Sequence, residues 1–105
     1  MLPRLAAVVP TYQRLPRFDE DWDDLPEEQK QRFRRAVAAF VDDLSAGRPF
    51  RKGLRVKRVQ AASGVWEMTF APDGRATWRY GAEVHPGQPH IVWRRIGNHD
   101  VLDRP

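Results

Sequence analysis

GVWEMTFAPDGRATWRY, residues 64–80, alternates apolar and polar side chains on either side of a turn signal. Trp66, Met68 and Phe70 share one side of an extended chain, and Glu67 and Thr69 share the other. Between the runs, Pro72 presets the first turn dihedral and Gly74 accepts a left-handed one, with Asp73 between them. The segment is therefore expected to be a β-hairpin. A three-residue loop with a glycine bulge sets Trp66 opposite Tyr80, Met68 opposite Trp78 and Phe70 opposite Ala76, with Glu67 facing Arg79 on the other side. A two-residue loop would set Met68 against Arg79, so the first register is expected.

Working outward, Leu54 and Val56 alternate with Arg55 and Lys57, which predicts a half-buried strand over 54–60 that ends or bulges near Arg58. Residues 82–90 read as a loop with two prolines. His90 to Ile96 is a strong strand of ambiguous facing, because each side holds apolar residues and one arginine; Gly97 ends it. Residues 5–15 supply a first strand, and Pro10 makes it an edge strand or one that starts after that residue. Phe18, Trp22 and Leu25 lie on one face of a short helix whose other face is acidic. Leu25, Gln29, Phe33, Val37, Phe40, Val41 and Leu44 trace the stripe of a longer helix. Asp24 and Glu27 suit a capping box at its start, and Gly47 suits a left-handed cap at its end. Arg32, Arg34 and Arg35 read as ordinary helix surface. The expected architecture is α+β. It is a single domain over 1–105, with a small antiparallel sheet of three to five strands, two N-terminal helices packed on one face and the other face open.

The 105 residues suffice for one domain and no second one. There is no cysteine, so disulfides and thiolate chemistry are excluded, and a reducing compartment fits. Leu5-Ala6-Ala7-Val8-Val9 is too short for a signal sequence or a membrane span, so a cytoplasmic protein without a membrane partner is expected. Charge is unevenly placed. Residues 1–50 hold eight Lys/Arg and nine Asp/Glu, while residues 51–105 hold ten and five. Residues 51–58, RKGLRVKR, hold five bases and no acid, whereas residues 19–28 hold seven acids and no base. Such segregation focuses a field and steers an opposite partner. A phosphate-rich partner, an acidic protein and simple solubility all remain open on charge alone.

On the expected open face, Arg55, Lys57, Glu67 and Arg79 gather, Arg75 sits just past the turn, and Arg94 or Arg95 joins from the last strand. His99 stands immediately beyond it. These residue types suit metal-independent cleavage of RNA, in which a ribose 2′-hydroxyl attacks the adjacent phosphorus. A carboxylate or imidazole serves as base, forked arginines meet the phosphoryl oxygens, and a histidine protonates the leaving oxygen. Glu67 is the base candidate, Arg75 or Arg79 the transition-state contact and His99 the acid candidate. Lys57 is a phosphate clamp, and Arg55, Arg58, Arg94 and Arg95 are further RNA contacts. Glu67 with Arg79 also reads as a plain cross-strand ion pair. His85 and His90 read as structural, no metal-ligand spacing is present, and no cofactor is expected.

The order Lys57-Arg58-Val59-Gln60, Gly64-Val65-Trp66-Glu67, Gly74-Arg75-Ala76, Tyr80-Gly81 and Arg94-Arg95-Ile96-Gly97-Asn98-His99-Asp100 resembles the RelE/ParE superfamily of bacterial type II toxins. The resemblance covers roughly residues 8–102. It implies a compact microbial ribonuclease fold and a toxin held inactive by a cognate antitoxin. It also implies contact with operator DNA only through the antitoxin complex. Many members cut messenger RNA without a metal, often in the ribosomal decoding site. Their functional residues match Lys57, Glu67, Arg75 and His99 here, with Arg79 and Arg95 beside them. Some relatives carry a stacking aromatic where this chain has Leu102. The superfamily also contains inhibitors of DNA gyrase, and a binding module without chemistry is a further alternative.

Overall fold

The computed structural model describes residues 9–105, so the part of the expected first strand before Val9 lies outside the described residues. Nine elements follow in order: β1 (Thr11–Arg14), α1 (Pro16–Asp24), α2 (Glu27–Ser45), a 3₁₀ turn (Lys52–Leu54), β2 (Lys57–Arg58), β3 (Trp66–Thr69), β4 (Gly74–Gly81), β5 (His90–Asn98) and a second 3₁₀ turn (His99–Asp103). The five strands form one sheet in the order β1-β5-β4-β3-β2. The sheet is mixed rather than wholly antiparallel, because β1 runs parallel to β5. His90 ties that edge. Its Nε2–H donates to the Gln13 amide oxygen at 2.9 Å, and the Thr11 hydroxyl donates to its Nδ1 at 2.7 Å.

Both helices cover one face. Pro16 suits the first turn of α1, where a missing N–H costs nothing. The expected Asp24–Glu27 capping box does not form. Asp24 closes α1, Leu25 and Pro26 are extended, and α2 starts from Pro26 without a side-chain cap. A residue before proline is pushed out of the helical region, which explains the break at Leu25. At the other end Gly47 takes φ +66°, with Gly47 N–H bonded to Leu44 O and Arg48 N–H to Asp43 O, as expected of a left-handed cap. The α2 stripe meets the sheet through rings. Phe40, 1% exposed, lies edge-on to Trp78 at 4.8 Å and stacked on Phe50 at 4.7 Å, and Phe33 lies edge-on to Trp93 at 5.4 Å.

The hairpin forms with Trp66 opposite Trp78, Met68 opposite Ala76 and Thr69 opposite Arg75. This is two residues away from the expected register. The shift preserves which side chains share a face, so the burial pattern is unchanged while every cross-strand partner differs. Glu67 therefore faces Thr77, not Arg79. The ambiguity of β5 has a cause too. An irregularity between Thr77 and Trp78 leaves Arg94 unpaired, which changes the alternation and puts Trp93 opposite Trp78 and Ile96 opposite Ala76. Trp93 and Ile96 consequently face the same side.

The expected strand over 54–60 shrinks to Lys57–Arg58. Arg55 sits in the left-handed region at φ 48°, and buried Leu54 ends an otherwise exposed 3₁₀ turn. The face away from the helices is also less open than expected. Val101 of the last turn is buried, and a Cβ on Gly97 would lie 2.9 Å from its Cγ1, so only glycine lets that turn close onto β5. Among the described residues no helix is long and apolar enough to cross a membrane.

Candidate functional site

Two clusters carry the candidate residues. The first lies at the β2 edge. Lys57 pairs with Glu67 across the strands, and its Nζ is 4.0 Å from Oε1. The lysine side chain is 71% exposed, while Glu67 as a residue is only 5% exposed. Glu67 is thus a nearly buried carboxylate with one cation at its mouth. Thr77 lies opposite, with a buried hydroxyl that has no hydrogen-bond partner. Arg79, one alternation further along β4, is half-buried and makes no ion pair among the described residues. Arg58 is exposed and lays its guanidinium over the Trp66 ring at 5.1 Å.

The second cluster lies at the β3–β4 turn. Antiparallel pairing sets Asn98 beside Gly74, so the end of β5 arrives next to the hairpin tip. There His99 Nδ1–H donates to Asp73 Oδ1 at 2.6 Å, and His99 Nε2 is 3.3 Å from Asp100 Oδ1. Asn98 accepts the Asp100 N–H at 2.9 Å and fixes the turn. The Asp73 hydrogen bond, then the Asp73 and Asp100 charges, raise the His99 pKa above its usual value against slight burial and the nearby Arg75. The same bond lowers that of Asp73. Arg75 curls onto the turn, Nη1 donating to Gly74 O at 3.0 Å and to Pro72 O at 3.4 Å.

Several expected contacts are occupied elsewhere. Arg95 grips Asp21 of α1 with bonds of 2.7 and 3.1 Å and donates to Arg104 O at 3.0 Å. Arg94 Nε donates to Pro105 O at 3.0 Å. Both arginines therefore hold the last residues of the chain instead of presenting free cations. Arg51 is also withdrawn from the basic run. Its N–H and guanidinium converge on buried Asp43, each at 2.9 Å, and Arg48 joins at 3.0 Å. Arg55 has left the sheet at its left-handed turn and is exposed.

Glu67 and His99 are not brought together. Thr77, opposite Glu67, is three residues from Gly74 along β4, a rise of about 10 Å. Glu67 is engaged toward Lys57 at one edge and His99 toward Asp73 beyond the other end. An acid and a base acting on one phosphodiester must each reach an oxygen on the same phosphorus. A Glu67–His99 acid–base pair does not meet that requirement, and this corrects the expectation from sequence. Asp73 was missed because its proximity to His99 depends on the β4–β5 register. Among the described residues, no three His, Cys, Asp or Glu side chains group as metal ligands would.

No protein-family model and no curated protein sequence matches the chain. Solved structures do match. The toxin–antitoxin complex DinJ–YafQ of E. coli aligns at TM-score 0.62 and 11% identity, over 92% of this chain and 98% of the matched one. The RelB–RelE antitoxin–toxin complex of Methanococcus jannaschii aligns at 0.56 and 11%, over 87% and 94%. A copper-bound mutant toxin from Helicobacter pylori aligns at 0.59 and 13%, over 88% and 97%. The chain has the RelE-like toxin fold. In this RelE-like fold the two helices lie on one face of the sheet, and both clusters fall at strand ends and edges outside the aromatic core.

Proposed function

We propose that this protein is the toxin of a type II toxin–antitoxin pair and an endoribonuclease that blocks translation by cutting messenger RNA. The observation that carries the reading is the His99 imidazole, held at 2.6 Å by Asp73, which raises its pKa and favours its acid form, with Arg75 nearby. A 2′-hydroxyl attacks the adjacent phosphorus, passes its proton to solvent at this exposed site, and forms a cyclic phosphate. His99 Nε2–H gives its proton to the departing 5′-oxygen, a contribution of about 10²–10⁴-fold in rate. Arg75, always charged, meets the phosphoryl oxygens once it leaves the turn carbonyls. Lys57, Arg58 and Arg79 hold the RNA backbone nearby, and Glu67 orients Lys57.

The partners follow from the same reading. A cognate antitoxin neutralises the protein, and operator DNA is met only through that complex, in the cytoplasm. The solved neighbours include two toxins in complex with antitoxins, which supports this partner. The test is to add the purified protein to translating ribosomes and to free messenger RNA, and to map the new RNA ends. Cyclic-phosphate ends that vanish in His99→Gln support the proposal. Intact RNA with arrested DNA supercoiling would place the target at gyrase instead.

A further inference from the structure

Between α2 and the outer edge of β3 lies an open groove of about 630 Å³. Arg32 and Arg35 of α2, Arg55 and the stretch from Thr69 to Pro72 line it. No acidic residue lines it. Arg32 faces Glu28 at 3.3 Å in an exposed pair, the kind that holds a side chain weakly. Arg35 and Arg55 make no ion pair and no side-chain hydrogen bond among the described residues.

The groove exists because β2 pairs only with Trp66 and Glu67, leaving the Thr69 edge of β3 without a strand beside it. Arg55 turns the chain away there with a positive φ of 48°, a conformation that disfavours any side chain larger than glycine. Strain kept at a long cationic residue points to use rather than to packing. Pro72, one residue before the Asp73 that holds His99, also lines the groove.

We infer that this groove is a phosphate track, in which Arg35 and Arg55, assisted by Arg32, hold the backbone of a single-stranded RNA next to the bond met by His99. The inference rests on the proposed RNA reading and extends it to α2, whose arginines look from sequence like ordinary helix surface. Three forked cations in a groove that no carboxylate lines suit phosphate oxygens. The acidic surroundings of His99, with Asp73 and Asp100 against its ring, repel an RNA strand unless cations hold it from outside.

The test measures affinity for a single-stranded RNA of about a dozen nucleotides across a salt series, using the full chain. The proteins compared are the native chain, the double variant Arg35→Gln/Arg55→Gln, the double variant Arg35→Gln/Arg55→Gly, and Arg34→Gln as a control outside the groove. Both double variants should bind more weakly, with a salt slope smaller by about 1.4, as expected for two lost phosphate contacts on a single strand. The glycine version relieves the Arg55 backbone, so its loss is not a folding defect. Arg34→Gln should bind as the native chain does and keep its cleavage rate. Native-like affinity in both double variants overturns the groove while leaving cleavage at His99 standing. Weakened binding with no cleavage by the native chain keeps the groove and removes the ribonuclease reading. A loss confined to a polyglutamate peptide, with RNA affinity unchanged, overturns the inference in favour of an acidic protein segment.

Discussion

His99 and Asp73, 26 positions apart in the chain, meet at 2.6 Å and join the end of β5 to the tip of the β3–β4 hairpin. The bond favours the imidazolium, so the His99 pKa lies above its usual value. Asp73→Asn should return it toward about 6.5, read by proton NMR titration. If His99 is the acid, the alkaline limb of the rate profile should move to lower pH in the same variant. Linkage fixes the stability sign. A group with a raised folded pKa contributes stability below its unfolded pKa and loses it as pH rises through the folded one. The native chain should therefore lose a small increment as pH rises above about 6.5 that Asp73→Asn lacks.

His99→Gln should lower the cleavage rate by about 10²–10⁴-fold, whereas Glu67→Gln should change it by less than about tenfold and act mainly on RNA affinity. Single-turnover cleavage at saturating RNA separates the two. Equal losses in both variants would restore a shared acid–base role to Glu67.

Asp43 should govern acid sensitivity. Hydrogen bonds from the Arg51 side chain and backbone, with Arg48, hold its pKa well below the ordinary carboxylate range against the cost of burial. A depressed folded pKa contributes stability above the unfolded value of about 3.9 and loses it as pH falls toward the folded one. Asp43→Asn should be less stable at neutral pH and show a flatter decline below about pH 4 in urea unfolding.

Phe40→Ala should destabilise the fold by about 3–5 kcal/mol, since it empties the contact among Trp78, Trp93 and Phe50. A urea titration monitored by tryptophan fluorescence reads this directly. A cost below about 1 kcal/mol would mean that the aromatic layer refills the space.

The amphipathic patterns were legible in the sequence. Phe18, Phe33, Phe40, Met68 and Trp78 all lie in the core where their spacing puts them. Register was not legible, because a shift of two residues keeps every face and leaves the pattern silent. The unpaired Arg94 was hidden for the converse reason, since it breaks alternation inside a strand without a glycine or proline to mark it. The cationic run 51–58 was plain in composition. Which of its members stay available depends on Asp43, which is distant from most of them in sequence and captures Arg51. The pairing of Asp21 with Arg95 is likewise tertiary, and no local spacing announces it.

Thr11 and His90, 79 positions apart, bind β1 to the last strand. During synthesis β1, α1 and α2 therefore leave the ribosome well before the strand that receives them. Phe18, Phe33 and Phe40 must wait without a sheet until the final hairpin is released. Sheet closure of this kind is nonlocal and slow, and the nascent helical pair is the species most exposed to aggregation or to chaperone capture.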